Sequence, residues 1–217
     1  MANRVIAIGD IHGCSIALRK LIDAIQPDPT DTIVTLGDYI NRGPDGRGVI
    51  DYLVSLHNQC NFVPLLGNHD QLLLQNRSAR TEVPGYGLTD LENGLERFRD
   101  DHFAFLESCD MYFEIDTHFF VHANYEANKQ LADQDHYTLL WLSLDARMPK
   151  RHCSRKTAIV GHTSQHSGEI LDRRHVKCID THCHGGGWLT AFDVRTAQIW
   201  QVDKNGVQRG DPPFKST

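Results

Sequence analysis

The chain has 217 residues, 40% of them hydrophobic, which is enough to bury a core within a single domain, and its formal net charge is -6. It has no polybasic stretch, which argues against a nucleic-acid-binding face or an anionic membrane surface as the main partner. No apolar run approaches the roughly 18 residues of a spanning helix, and the first strand follows Met1-Ala2-Asn3-Arg4 directly, so a cytoplasmic protein is expected.

Residues 5–8 form an apolar, β-branched run that reads as a buried strand and runs into Gly9-Asp10-Ile11-His12-Gly13. Helical spacing follows over 15–25, carried by Leu18, Leu21, Ile22 and Ile25 and closed by Pro27 and Pro29. A second strand at 33–36 ends in Gly37-Asp38-Tyr39-Ile40-Asn41-Arg42-Gly43, and the turn cluster 42–46 leads into a helix at 47–56. A third strand at 62–66 ends in Gly67-Asn68-His69-Asp70. This alternation predicts parallel crossovers, with every strand delivering a candidate ligand at its exit, the end of an open α/β sheet where ligands gather.

A short helix is predicted at 71–75, then a polar stretch through Tyr86 and Gly87, then a charged helical stretch from about 91 to 106. The region of about 76–108 is read as a lid-like helical insertion within one catalytic domain spanning 1–217. The second half is β-rich, with strands predicted at 111–115, 118–121, 158–160, 176–179, 188–192 and 199–202. A long polar excursion, 124–155, carries one helical patch near 137–144.

Asp10 and His12 are two residues apart, so at a strand end both side chains can face one cation, and Asp38 is the candidate to bridge a second. Asn68 adds a carbonyl oxygen, and His122 and His162 add imidazoles. This mixed N/O set suits Mn, Fe or Zn better than Ca. Two cations about 3.5–4 Å apart can orient a phosphoryl group, acidify a bound water into an attacking hydroxide, and stabilise the entering and leaving oxygens. Arg42 offers a fork of donors for phosphate oxygens. His69, next to Asn68, can protonate a departing alkoxide, which is typically worth ~10²–10⁴-fold in rate. Asn68 and Asp70 also suit a helix start, as N-cap and first-turn charge. The cysteines, Cys14, Cys60, Cys109, Cys153, Cys178 and Cys183, form no CxxC pair and are expected to be reduced.

These clusters resemble the GDxHG, GDxxDRG and GNH[DE] signatures of the calcineurin-like metallophosphoesterases, in particular the phosphoprotein phosphatase group. Phe119-Phe120-Val121-His122-Ala123, Gly161-His162-Thr163 and Ile179-Asp180-Thr181 follow in the same order. The resemblance implies a mixed α/β fold of four layers, a central β-sandwich flanked by helices. It implies Asp10, His12 and Asp38 on one metal, and Asp38, Asn68, His122 and His162 on the other. His69, with Asp38, Asn41 and Asp70 around it, would form the catalytic group, while Arg42, Asn68 and His69 would contact the phosphate.

Three positions depart from that pattern. Asn41 stands where the family has Asp, and its amide is expected to accept the same hydrogen bond from His69. Ser143 stands where bacterial relatives carry a second phosphate-binding arginine, so Arg147 or Arg151 is expected to reach in. The segment Thr181-His182-Cys183-His184-Gly185 brings extra imidazoles close to the expected site, in supporting contact and not as a third metal site.

The leading expectation is a serine/threonine protein phosphatase-like enzyme with two divalent ions, most simply Mn, acting on phosphorylated proteins or small phosphoesters. A symmetrical bis(5'-nucleosyl)-tetraphosphatase is the close alternative, and a catalytically weak module that docks phosphorylated ligands is a third.

Overall fold

The computed structural model describes residues 3–57, 59–79 and 98–210. Two sheets lie face to face. The first has the order β11-β10-β1-β2-β3, with β9 pairing β10. Its central strands β1 (Val5–Ile8), β2 (Thr32–Thr35) and β3 (Asn61–Pro64) are parallel. Antiparallel β10 (Trp188–Asp193) and β11 (Ile199–Val202) extend it, and β9 (Asp180–Thr181) is short. The second sheet has the order β4-β5-β6-β8-β7, from Tyr112–Glu114, His118–Val121, Thr157–Val160, Val176–Cys178 and Leu171–Asp172. Its inner strands β5, β6 and β8 are again parallel.

Side chains that alternate along each strand divide the core into layers. Val5 and Ala7 of β1 join Val34, Phe120, Ile159 and Phe192 between the sheets. Ile6 and Ile8 point the other way, into a cluster with Leu18, Leu21, Val49, Ile50 and Leu53. Those residues come from α1 (Ser15–Ile25) and α2 (Gly46–Leu56), whose apolar stripes cover the first sheet. On the second sheet Phe119, Val121, Ala158 and Val160 pack outward against Tyr125, Leu131, Leu139 and Leu144. The expected layering, a β-sandwich flanked by helices, is therefore present.

Several elements differ from expectation. α3 runs over Asn68–Ala79, well beyond the predicted 71–75, because the third strand exit is itself the first turn of the helix. Of the predicted insertion at about 76–108, only α4 (Asp100–Glu107) and the end of α3 fall among the described residues. Residues 80–97 lie outside them. The patch near 137–144 contracts to α5 (His136–Leu140), started by the Asp135 side chain accepting from Thr138 N. β7 and β9, two residues each, were too short to show a period. Among the described residues no helix is long and apolar enough to cross a membrane.

The β2 and β3 exits are tied together by Tyr39, whose buried hydroxyl donates to the Leu65 carbonyl at 2.5 Å and lies 2.9 Å from Thr35 Oγ1. Tyr39→Phe leaves that carbonyl without its donor, and urea unfolding is expected to show a loss of about 1–3 kcal/mol. An unchanged midpoint would show that the tie carries no stability.

Candidate metal centre

The parallel strands place five exits at one edge of the sandwich. Asp10 and His12 follow β1, Asp38 follows β2, Asn68 opens α3 after β3, His122 follows β5 and His162 follows β6. The fit is close at two glycines. A Cβ on Gly67 would lie 2.1 Å from Asp38 N, and one on Gly161 would lie 2.0 Å from Asp10 Oδ1. His12, Asp38 and His162 hold φ of 44°, 51° and 61°. Left-handed backbone at non-glycine residues costs roughly 1–3 kcal/mol each and concentrates at functional sites.

Protons on the imidazoles can be counted from their backbone partners. His122 Nδ1 lies 2.7 Å from the Leu36 carbonyl, His162 Nε2 lies 3.1 Å from that of Trp141, and His12 Nδ1 lies 3.1 Å from that of Ile40. A carbonyl only accepts, so each of these nitrogens carries the hydrogen. Burial is the main cause that lowers all three rings' pKa values, His12 to about 3 and His162 to about 4, so each ring is neutral and its other nitrogen is a bare lone pair. Those lone pairs converge on acceptors. His122 Nε2 and His162 Nδ1 both sit 3.0 Å from Asn68 Oδ1, and His12 Nε2 is 3.5 Å from Asp38 Oδ2. The other face of the Asn68 amide would have donated to both rings, yet the oxygen is presented.

Carboxylates crowd the same volume. Burial, then the charges of Asp180 and Asp38, pushes the Asp10 carboxyl well above its ordinary range, while the His162 N–H donates to it at 3.0 Å. Asp38 is also buried, which raises its pKa, but the surrounding imidazoles take up protons before it does, and their charge then holds it below the usual range. It stands between two compact groups, His12–Asp38–His69 and Asp38–His122–His162. Its Oδ2 faces His12, and its Oδ1 lies 3.6 Å from His122 Nε2. Converging neutral imidazoles, an amide oxygen and a shared carboxylate, all acceptors, form a donor set that fits two divalent cations.

His69 sits at the rim, its N–H donating to Asp38 Oδ1 at 2.9 Å and its Nε2 4.0 Å from Asp38 Oδ2. Burial lowers its pKa, and Arg42 lowers it further against the pull of Asp38. The expected hydrogen bond to Asn41 is present but reversed. Asn41 Oδ1 accepts from Arg42 N at 3.0 Å, which turns Asn41 Nδ2 toward His69 Nδ1 at 2.8 Å. The amide therefore presents a donor to the ring, as Arg42 does on the Nε2 side, and a neutral imidazole accepts at only one of its two nitrogens. Arg42 Nη2 approaches that Nε2 to 3.2 Å.

Asp70 is fully buried and accepts from Tyr39 N and Gly67 N, both at 3.0 Å. Burial and the Asp38 charge push its carboxyl upward. It joins the β2 and β3 exits from behind the cluster. The Arg147 side chain is exposed, and its backbone is held by Ser143 O and the Asn124 amide. The Arg151 guanidinium donates to Arg155 O.

Asp180 was not among the expected site residues. It is buried, accepts from Ser164 Oγ at 2.6 Å and His182 N at 3.0 Å, and acts electrostatically on Asp10. Its sequence signal was the Ile179-Asp180-Thr181 match, an aspartate directly after an apolar strand, to which no role was attached. The extra imidazoles do arrive: His184 packs edge-on against His12 with ring centroids 4.8 Å apart, and His182 lies 4.7 Å from His184.

The family model described as calcineurin-like phosphoesterase matches residues 3–199. A symmetrical bis(5'-nucleosyl)-tetraphosphatase of Edwardsiella ictaluri is 46% identical over 68 residues, 31% of this chain and 24% of that protein. The chain thus matches about a quarter of that relative's length. Among solved structures, a protein provisionally designated a diadenosine tetraphosphatase superposes with a TM-score of 0.75 at 22% identity, covering 98% of this chain and 96% of the other. A serine/threonine phosphatase of Saccharomyces cerevisiae gives 0.64 at 18% identity, covering 88% and 73%. At these identities the structural likeness is one of fold.

The Asn41–His69 contact has a pH consequence. Protonation at Nδ1 must break the Asn41 donor, so the imidazolium is disfavoured and is lost as pH rises through an already lowered pKa. Asn41→Asp supplies an acceptor and a negative charge at that atom. It is expected to move the basic limb of the pH-rate profile upward, and an unmoved limb would show that His69 does not titrate in turnover.

Proposed function

We infer that this chain, which belongs to the calcineurin-like phosphoesterase family, is a phosphoric ester hydrolase dependent on two divalent cations, and that it cleaves dinucleoside polyphosphates symmetrically. The observation that carries the hydrolase reading is the convergence of proton-free donors from His12, His122, His162, Asn68 and Asp38. We assign Asp10, His12 and Asp38 to one cation and Asp38, Asn68, His122 and His162 to the other. Mn is the simplest occupant, with Fe and Zn equally compatible with the ligands. When bound, the pair supplies Lewis-acid polarisation of phosphoryl oxygens and acidifies water.

The protein residues do the rest. Arg42 swings its guanidinium from His69 Nε2 onto the non-bridging phosphate oxygens, a contact suited to its forked donors. Once the guanidinium leaves, Nε2 carries the hydrogen toward the leaving oxygen while Nδ1 accepts from Asn41. Asp38 fixes the His69 backbone, and Asp70 fixes the loops that carry Asp38 and Asn68.

Two observations favour a nucleotide anhydride over a phosphoprotein. Relatives matched by this chain are named symmetrical tetraphosphatases. The second is chemical. A serine alkoxide departs only with a proton, which an imidazolium must deliver, and Asn41 disfavours that imidazolium. A nucleoside diphosphate leaves as a phosphate anion, whose second pKa is about 6, and needs only a hydrogen bond. The expectation of a protein phosphatase finds no specific support in those relatives.

With manganese the chain is expected to convert diadenosine tetraphosphate to two molecules of ADP, and to do so far faster than it dephosphorylates a phosphoserine peptide. Faster turnover of the peptide would overturn the substrate, and no turnover of either would favour the phospho-ligand-binding module. His69→Asn is expected to lower kcat on the dinucleotide by about 10²-fold, the low end for proton-transfer groups, and to cost more on the peptide. An equal loss on both would contradict the leaving-group argument.

A further inference from the structure

Beside the metal centre, a cavity of about 690 Å³ opens between the starts of α1 and α2 and the turn after β11, lined in part by Ser15, Ile16, Arg42, Pro44, His184 and Lys204. It adjoins the site through two residues, Arg42, 3.2 Å from His69, and His184, packed against His12. The volume is that of a small-molecule pocket.

Its lining is chemically divided. Ile16 is 55% exposed, an apolar side chain on the otherwise polar outer face of α1, and Pro44 adds a second apolar surface. Arg42 and Lys204 bring two cations to a chain whose net charge is -6. The Lys204 charge is felt at the Cys14 thiol, which also lines the cavity. The Cys14 thiol donates to His12 O and does not cap the amides of α1, so the first amides of that helix add a positive pole. One acid is present, Asp45, and its carboxylate is engaged with Gly48 N at the start of α2. His184 adds an imidazole to the wall nearest the metal centre.

An apolar surface beside a cationic rim, opening from the phosphate-binding arginine, matches a nucleoside that carries phosphates. We propose that this cavity is the subsite for one nucleoside arm of the substrate, with the base against Ile16 and Pro44 and the phosphates led along Lys204 and Arg42 toward the metal centre. The proposal rests on the dinucleoside polyphosphate reading. It adds how such a substrate is told apart from a simple phosphate ester.

Two ligands that resist hydrolysis test it: α,β-methylene-ADP and methylenediphosphonate, which share both phosphorus groups and differ by the adenosine. They are titrated calorimetrically into the manganese-loaded protein. Ile16→Ser is expected to weaken α,β-methylene-ADP about tenfold while leaving methylenediphosphonate unchanged, and Lys204→Ala is expected to weaken both by about that factor. Both positions are exposed, so neither substitution disturbs the core. Wild-type affinity for α,β-methylene-ADP in both variants, or no preference of the native protein for it over methylenediphosphonate, overturns the subsite. Hydrolysis of diadenosine tetraphosphate is followed separately. Turnover with an unaltered binding pattern sinks the subsite alone, whereas the expected pattern without turnover upholds it and sinks the substrate reading.

Discussion

The backbone carbonyls of Leu36, Ile40 and Trp141 each take the one hydrogen of a neutral imidazole, and the rest of the site depends on that commitment. Had those hydrogens pointed inward, His12, His122 and His162 would be donors and the cluster a closed network of polar bonds. With the hydrogens turned outward, lone pairs face an amide oxygen and a carboxylate at 3.0–3.5 Å. Acceptors packed against acceptors are unfavourable without a positive charge among them. The same outward bonds also fix ring orientation and raise ligand basicity, the usual task of groups behind a metal ligand.

The fold supplies this arrangement by having two parallel strand sets end at one edge. The sandwich between them is apolar and tightly packed, so its edge is a rigid platform. Left-handed turns at His12, Asp38 and His162, and the close approaches at Gly67 and Gly161, then bring the exits within reach of one another. Asp70 and Tyr39 hold two of these exits from behind. Cations held there would relieve the strain and the crowding of Asp10, Asp38 and Asp180 together and so couple occupancy to the stability of the loops.

Much of this was legible in the chain. The β-branched runs that end in glycine and a polar ligand gave the parallel crossovers, and the spacing of Leu18, Leu21, Ile22 and Ile25 gave the helix that covers them. Position-two alternation in β1 and β5 could not be read at sequence level, because both faces of these strands are buried and both look apolar. Asp180 was seen within the Ile179-Asp180-Thr181 match but drew no role, because a lone aspartate after a strand does not say what it faces. The direction of the Asn41–His69 bond was unreadable for a different reason. It is decided by the Arg42 backbone amide, which occupies the Asn41 oxygen in a left-handed turn that no side-chain pattern announces. Arg147 was expected to fill the gap left by Ser143, and it stands exposed on a loop whose backbone the Asn124 amide holds.

The shared carboxylate of Asp38 is where the account is most exposed to test. Manganese titration followed by electron paramagnetic resonance reads both the number of ions and whether they interact. Two ions per chain with the spectrum of a spin-coupled pair, replaced by uncoupled or missing ions in Asp38→Asn, is the result predicted by a carboxylate lying between two sets of proton-free donors. A single bound ion, or a coupled pair that survives Asp38→Asn, would contradict it.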